Sequence, residues 1–250
     1  MSALAGKAAA PLAHVLDFAL PPRCLSCQEP MAPPGGLCPA CWPAVRFIAE
    51  PLCQRCGAPL EQAQTEPSCG QCLSTHGPLE RIRAAMLYDD GSRDLVLHLK
   101  HADALAGVPV LARWMQRAGA DLLQDADFLI PVPLHWQRLF KRRYNQSAEL
   151  TRALARRSKV RALPDGLVRT RRTPSQGGLS HRQRRENVRD AFGVKDRYRE
   201  RINGAKIILI DDVMTTGATL EECASALAAG GAARVDALTL ARVPPVAHSR

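Results

Sequence analysis

Hydrophobic and polar positions divide the chain into two unlike stretches. From residue 81 onward apolar runs alternate with helix-like periodicity, whereas the first 80 residues hold few such runs and ten prolines between positions 21 and 67. In the later stretch the pattern predicts a strand at 82–88 (IRAAMLY), a turn at Asp89, Asp90 and Gly91, and a helix from Ser92 to Lys100. It continues with a helix over 107–124, a strand at 128–132 (FLIPV) and a helix over 146–158. A polar, arginine-rich stretch at 169–190 precedes a buried strand at 206–210 (KIILI), a helix over 218–229 and a strand at 235–241. Strands that alternate with helices form a mostly parallel sheet covered on both faces, so the predicted fold class is α/β. Ligands of such sheets gather at the carboxyl ends of the strands.

The first 80 residues carry a different signal. Residues 8–20 (AAAPLAHVLDFAL) read as a short amphipathic helix ended by Pro21 and Pro22, too short to cross a bilayer. Eight of the nine cysteines then fall in four C-x-x-C pairs: Cys24/Cys27, Cys38/Cys41, Cys53/Cys56 and Cys69/Cys72. Two such turns complete a tetrahedral four-sulfur shell that suits Zn2+, so four pairs predict two structural zinc ions, one to each block. Spacing alone leaves open an interleaved arrangement in which Cys24 and Cys27 meet Cys53 and Cys56. With so few apolar residues, this region would draw its folding free energy from the metal. Closed four-thiolate shells keep no open coordination position, which favours staples over chemistry and leaves docking to nucleic acid or protein as the functional alternative. Cys223, in an alanine-rich helical stretch, reads as a buried apolar filler.

Composition narrows the setting. With 250 residues and 46% hydrophobic content, there is ample material for a core, which argues against disorder or fibrous repeats. No basic segment is followed by an apolar stretch long enough for a signal peptide or a membrane span, so a cytoplasmic protein with metal-bound or reduced thiols is expected. The net charge of +10 points to an acidic partner, and its location sharpens this. Residues 138–201 hold 20 Lys and Arg against 6 Asp and Glu, which favours a polyphosphate, and nucleic acid, over a membrane surface.

The most informative stretch is 207–220, IILIDDVMTTGATL. A buried strand ending in Asp211 and Asp212 sets two carboxylates at the sheet edge, where a hydroxyl-rich or metal-bearing ligand would meet them. The following Thr215, Thr216, Gly217, Ala218 and Thr219 open a helix, whose free N–H groups and positive dipole end suit a phosphate. Diol-binding acids directly ahead of a phosphate loop suggest a ribose 5-phosphate.

This stretch resembles the phosphoribosyl pyrophosphate (PRPP) motif of type I phosphoribosyltransferases. Together with the cysteine pairs, DFLIPVPLHWQRLFKRRYNQ at 127–146 and RTRRTPSQGGLSHRQRRENVRDAF at 169–192, it makes the chain similar to the ComF family from about Pro21 to Arg242. That family includes competence-associated proteins of bacterial DNA uptake. The resemblance implies a type I phosphoribosyltransferase-like domain over 81–250 behind an N-terminal helix and double zinc ribbon over 1–80. It implies PRPP with Mg2+ as ligand, Asp211 and Asp212 on the ribose hydroxyls and Thr215, Thr216, Gly217, Ala218 and Thr219 on the 5-phosphate. Pyrophosphate contacts fall to Lys100, Arg138, Arg142 and Arg143, the last standing where the family carries glycine. Gln176, Arg182, Arg185 and Asn187 match the family's flexible loop, which would close over the site and exclude water. Purine-salvage relatives carry an Asp at the position of Thr215, so purine salvage is not implied, and neither an acceptor nor a catalytic base is legible. Three functions stay open: a PRPP-binding, transferase-like protein that contacts single-stranded DNA and DNA-uptake proteins, a transferase of nucleotide or small-molecule metabolism, and a non-catalytic nucleic-acid adaptor. Aromatic residues are sparse, so DNA contacts would fall mainly on the backbone.

Overall fold

The computed structural model describes residues 22–31, 36–65, 67–74, 77–99, 102–134, 144–171 and 181–244; the helix expected over 8–20 lies outside them. The elements run β1 (Ile82–Leu87), α1 (Asp90–His98), α2 (Val108–Ala118), β2 (Phe128–Pro131), α3 (Gln146–Ser158), β3 (Arg161–Ala162) and β4 (Leu167–Arg169). They continue with α4 (His181–Val188), β5 (Phe192–Val194), β6 (Lys206–Met214), α5 (Ala218–Ala229) and β7 (Arg234–Arg242). Five strands form one sheet in the order β1-β7-β6-β2-β3, parallel throughout, while β4 and β5 pair antiparallel in a separate hairpin.

The unbroken apolar run of β6 follows from its central place. Successive side chains point to opposite faces, and both faces are covered. Ile208 and Ile210 pack with Met115 of α2, Leu150 and Leu154 of α3, and Leu238 and Leu240 of β7. Ile207 and Leu209 turn the other way, onto Leu220, Ala224 and Leu227 of α5, with Phe192 of the hairpin. Cys223 lies in this second cluster, fully buried, as an apolar filler should.

Boundaries depart from the sequence pattern where local chemistry intervenes. The expected turn at Asp89–Gly91 is the start of α1: the Asp89 carboxylate accepts from the N–H groups of Gly91 and Ser92, and the Ser92 hydroxyl accepts from the Asp89 N–H. The helix expected over 107–124 breaks at Gly119 into α2 and a single turn, Ala120–Leu123. Strand β6 runs on through the acid pair to Met214, because its ladder with β7 continues through Asp211, Val213 and Met214. The arginine-rich stretch contains helix α4 and is flanked by β4 and β5.

The cysteine-rich segment packs on this sheet. Residues 46–55 run alongside β1, with Leu87 N–H donating to the Arg46 carbonyl (2.9 Å), Ile48 N–H to Ala85 (3.0 Å) and Ile82 N–H to Arg55 (2.6 Å). Strand β1 would otherwise present its outer backbone groups to solvent. Phe47 stacks edge-on to Trp114 of α2 at 5.1 Å and also touches Trp42 at 5.1 Å. Gly91 is required here, since a Cβ would stand 1.9 Å from the Ala44 carbonyl oxygen.

Candidate functional site

At the carboxyl ends of the central strands a cleft of about 290 Å³ opens between Tyr88, the Val132–Leu134 segment, the start of α3, Arg169 and residues 211–220. Asp211 and Asp212 lie side by side within it. The Asp211 carboxylate accepts from the Ser147 hydroxyl (2.9 Å) and from the Asp212 N–H (2.9 Å), and Asp212 accepts from the Val213 N–H (2.8 Å). Burial first, and the neighbouring Asp212 charge second, push the Asp211 carboxyl up to about 8, against the pull of Ser147. Two carboxylates held this way are poised for a partner that brings positive charge or several hydroxyls.

Directly beyond them, Gly217 takes a left-handed conformation (φ +81°) and turns the chain into α5 with no side-chain cap. Among the described residues the N–H groups of Thr215, Thr216 and Gly217 make no backbone hydrogen bond. A turn of unfilled amides at a helix amino terminus is an anion cradle by geometry and by dipole. A wider hollow of about 610 Å³ lies at the amino ends of β2 and β6, away from the acid pair, and is lined by the carboxyl end of α3 at Ser158 and Lys159.

The cysteines form two separate tetrads, Cys24/Cys27/Cys38/Cys41 and Cys53/Cys56/Cys69/Cys72, with the sulfurs of each within 4.8 Å of one another. This is the blockwise arrangement. Amides reinforce each shell: Cys38 N–H donates to Cys24 Sγ (3.3 Å), and Cys69 N–H to Cys53 Sγ (3.4 Å). Burial works to raise the Cys24 thiol, but the N–H groups of Cys38, Cys27 and Ser26 outweigh it and hold the thiol at about 6. Burial and the neighbouring thiols push Cys41 up to about 12. Four sulfurs gathered this closely fit a divalent cation, whose charge lets all four act as thiolates.

Comparison with known proteins matches residues 15–73 to a double zinc ribbon domain and residues 145–245 to a phosphoribosyl transferase domain. A DNA utilization protein, YhgH, from Escherichia coli is 33% identical over 230 residues, covering 89% of this chain and 98% of the relative. The chain belongs to the ComF family. Its Salmonella typhimurium relative of the same name is 34% identical over the same shares, and Competence protein F of Haemophilus influenzae is 29% identical over 88% of this chain and 96% of its own. Of the residues that ComF resemblance singled out, Asp211, Asp212, Thr215, Gly217, Ala218 and Thr219 line the cleft, and Thr216 sits in the same turn with its hydroxyl toward the Ala218 N–H (3.4 Å). Lys100, Arg138, Arg142, Arg143 and Gln176 lie outside the described residues. Arg182, Arg185 and Asn187 fall on α4, and the Asn187 carbonyl accepts from Arg171 (3.3 Å).

Three cleft residues of this ComF protein escaped the sequence reading. Ser147 reaches Asp211 from the first turn of α3, where Asn145 caps the helix and ties it to the Val132 carbonyl (3.0 Å). Asn-Gln-Ser ahead of an apolar-periodic run is a start signal that could have flagged it. Arg169 enters from the end of β4, its guanidinium 5.1 Å from the Phe192 ring, and Tyr88 follows β1. Neither has a local signature, because only tertiary packing brings them to the cleft.

Proposed function

We propose that this ComF protein binds PRPP in the cleft at the end of β6 and serves DNA use or uptake, as the names of its relatives suggest for them. One observation carries the ligand assignment: two adjacent carboxylates stand immediately ahead of an uncapped, left-handed turn into a helix, in one cleft. Asp211 and Asp212 hold the ribose hydroxyls, and Thr215 to Thr219 receive the 5-phosphate through backbone N–H and hydroxyl groups. Ser147 and the Val213 N–H fix the two carboxylates before the ligand arrives, so little ordering remains on binding. Lys100, Arg138, Arg142 and Arg143 would meet pyrophosphate, and the segment with Gln176, Arg182, Arg185 and Asn187 would close over it. Aspartate oxygens are hard donors of the kind magnesium takes, so Mg2+ would enter with PRPP, supplying neutralisation of pyrophosphate charge.

The wider reading places the protein in the cytoplasm, with a ribbon domain over 1–80 and a transferase-like domain over 81–250. Among the described residues no helix is long and apolar enough to cross a membrane. The concentration of cations over 138–201 supports contact with single-stranded DNA through its backbone.

Calorimetry with PRPP and Mg2+ tests the ligand. Wild-type protein should bind, and Asp211→Asn/Asp212→Asn should lose about tenfold or more of that affinity, since each charged hydrogen bond contributes about 1.5–3 kcal/mol. Equal affinities would remove the assignment. Pyrophosphate release in the presence of candidate acceptors then decides whether transfer follows binding.

A further inference from the structure

Arg242, the last residue of β7, is 6% exposed, yet no carboxylate among the described residues pairs with it. Its neighbours in kind are paired: Arg83 with Asp121, and Arg81 and Arg234 both with Asp236. Arg242 instead donates through Nη1 to the Cys56 carbonyl in the second cysteine tetrad, while its buried Nε has no hydrogen-bond partner among the described residues. A buried guanidinium with a carbonyl as its partner among the described residues is costly unless negative charge stands close by. Four thiolates around one divalent ion carry a net charge of about −2.

We propose that Arg242 is the counter-cation of the second zinc site, so that metal at Cys53, Cys56, Cys69 and Cys72 locks the ribbon onto the transferase-like sheet beside the cleft. Among the described residues the first tetrad has no equivalent: Arg23, which donates to the Gln28 carbonyl there, is solvent-exposed. The backbone of Arg242 carries the lock inward. It faces Met214 in the ladder with β6, its carbonyl accepts from the Tyr88 N–H (2.6 Å), and the next residue, Val243, donates to Met214 (2.9 Å). Tyr88 and Met214 both line the cleft. Loss of the second zinc would therefore strand a buried cation on the strand that holds two cleft walls together, whatever the cleft binds.

The test is zinc release from the full-length, zinc-loaded protein to a chromophoric chelator. In Arg242→Met one of the two ions should leave about tenfold faster or more, a typical cost of losing a group that supports metal ligands, with the other unchanged. Arg242→Lys, which keeps the charge, should release both near wild-type rates. Unchanged release from Arg242→Met, equal acceleration of both ions, or a lysine variant that behaves like the methionine variant would overturn the proposal. Should Arg242→Met not fold, amide exchange of wild-type protein decides. Stripping zinc should speed exchange at Tyr88 and Val243, and continued protection there would refute the lock.

Discussion

At Asp211 the protein keeps a carboxyl whose charge is opposed by burial and by Asp212. The folded state therefore favours the protonated form, and the sign of the consequence follows. In magnesium-free, ligand-free protein, the contribution of Asp211 to stability is full below its ordinary 3.8 and is gone once the pH has risen through about 8. Thermal unfolding of the wild type should thus fall between pH 5 and pH 8.5 by more than that of Asp211→Asn, which should match or exceed the wild type at the upper pH while binding PRPP poorly. Parallel pH profiles would show that the acid pair carries no such burden. An uncomfortable residue at a binding site is a known trade of stability for function. The sequence showed the discomfort directly, as two acids ending an apolar run. The Ser147 hydroxyl that steadies Asp211 was not visible, because a contact between residues 64 apart in the chain leaves no local pattern.

Among the elements of the proposed site, the turn into α5 is the one with the strictest backbone requirement. A Cβ at Gly217 would meet nothing nearer than Met214 Sδ at 3.9 Å, so Gly217→Ala adds no clash and isolates the backbone cost. That cost is about 1–2 kcal/mol for a left-handed alanine. Urea unfolding should register a loss of this size, and PRPP affinity should drop as the turn relaxes and its amides diverge; a variant that keeps both values would exonerate the left-handed turn. Elements of this kind were legible where the pattern is long. Helices α3 and α5 match the sequence reading at both ends, and β6 was recognised by its apolar run. Strands β3, β4 and β5, two or three residues each, are too short for any periodicity to register and exist because neighbouring strands and α5 hold them. The start of α1 was misplaced because Asp-Asp-Gly is at once a turn signal and a helix cap.

For the whole molecule, the charge distribution leads to a measurement of its own. If single-stranded DNA is held mainly through phosphates by residues 138–201, its affinity should fall steeply, by roughly tenfold or more between about 50 and 200 mM salt, with little dependence on base sequence. Binding that is flat with salt would mean that the basic segment is not the contact. The fold class, the two cysteine tetrads and the glycine turn into α5 could all be read from one sequence, since each is a local pattern. How the parts meet could not. The seat of Ala44 against Gly91, the aromatic contact between Phe47 and Trp114, and the reach of Arg242 to Cys56 join residues far apart in the chain. The strip that covers β1 is the part of this assembly with the widest reach. Because that cover belongs to a segment whose two cysteine tetrads would draw its folding free energy from metal, the solubility of the whole chain would become conditional on metal supply. Molecules synthesised during zinc starvation would display a bare strand edge, a template on which further chains add, and would sediment as aggregates in proportion to the shortage.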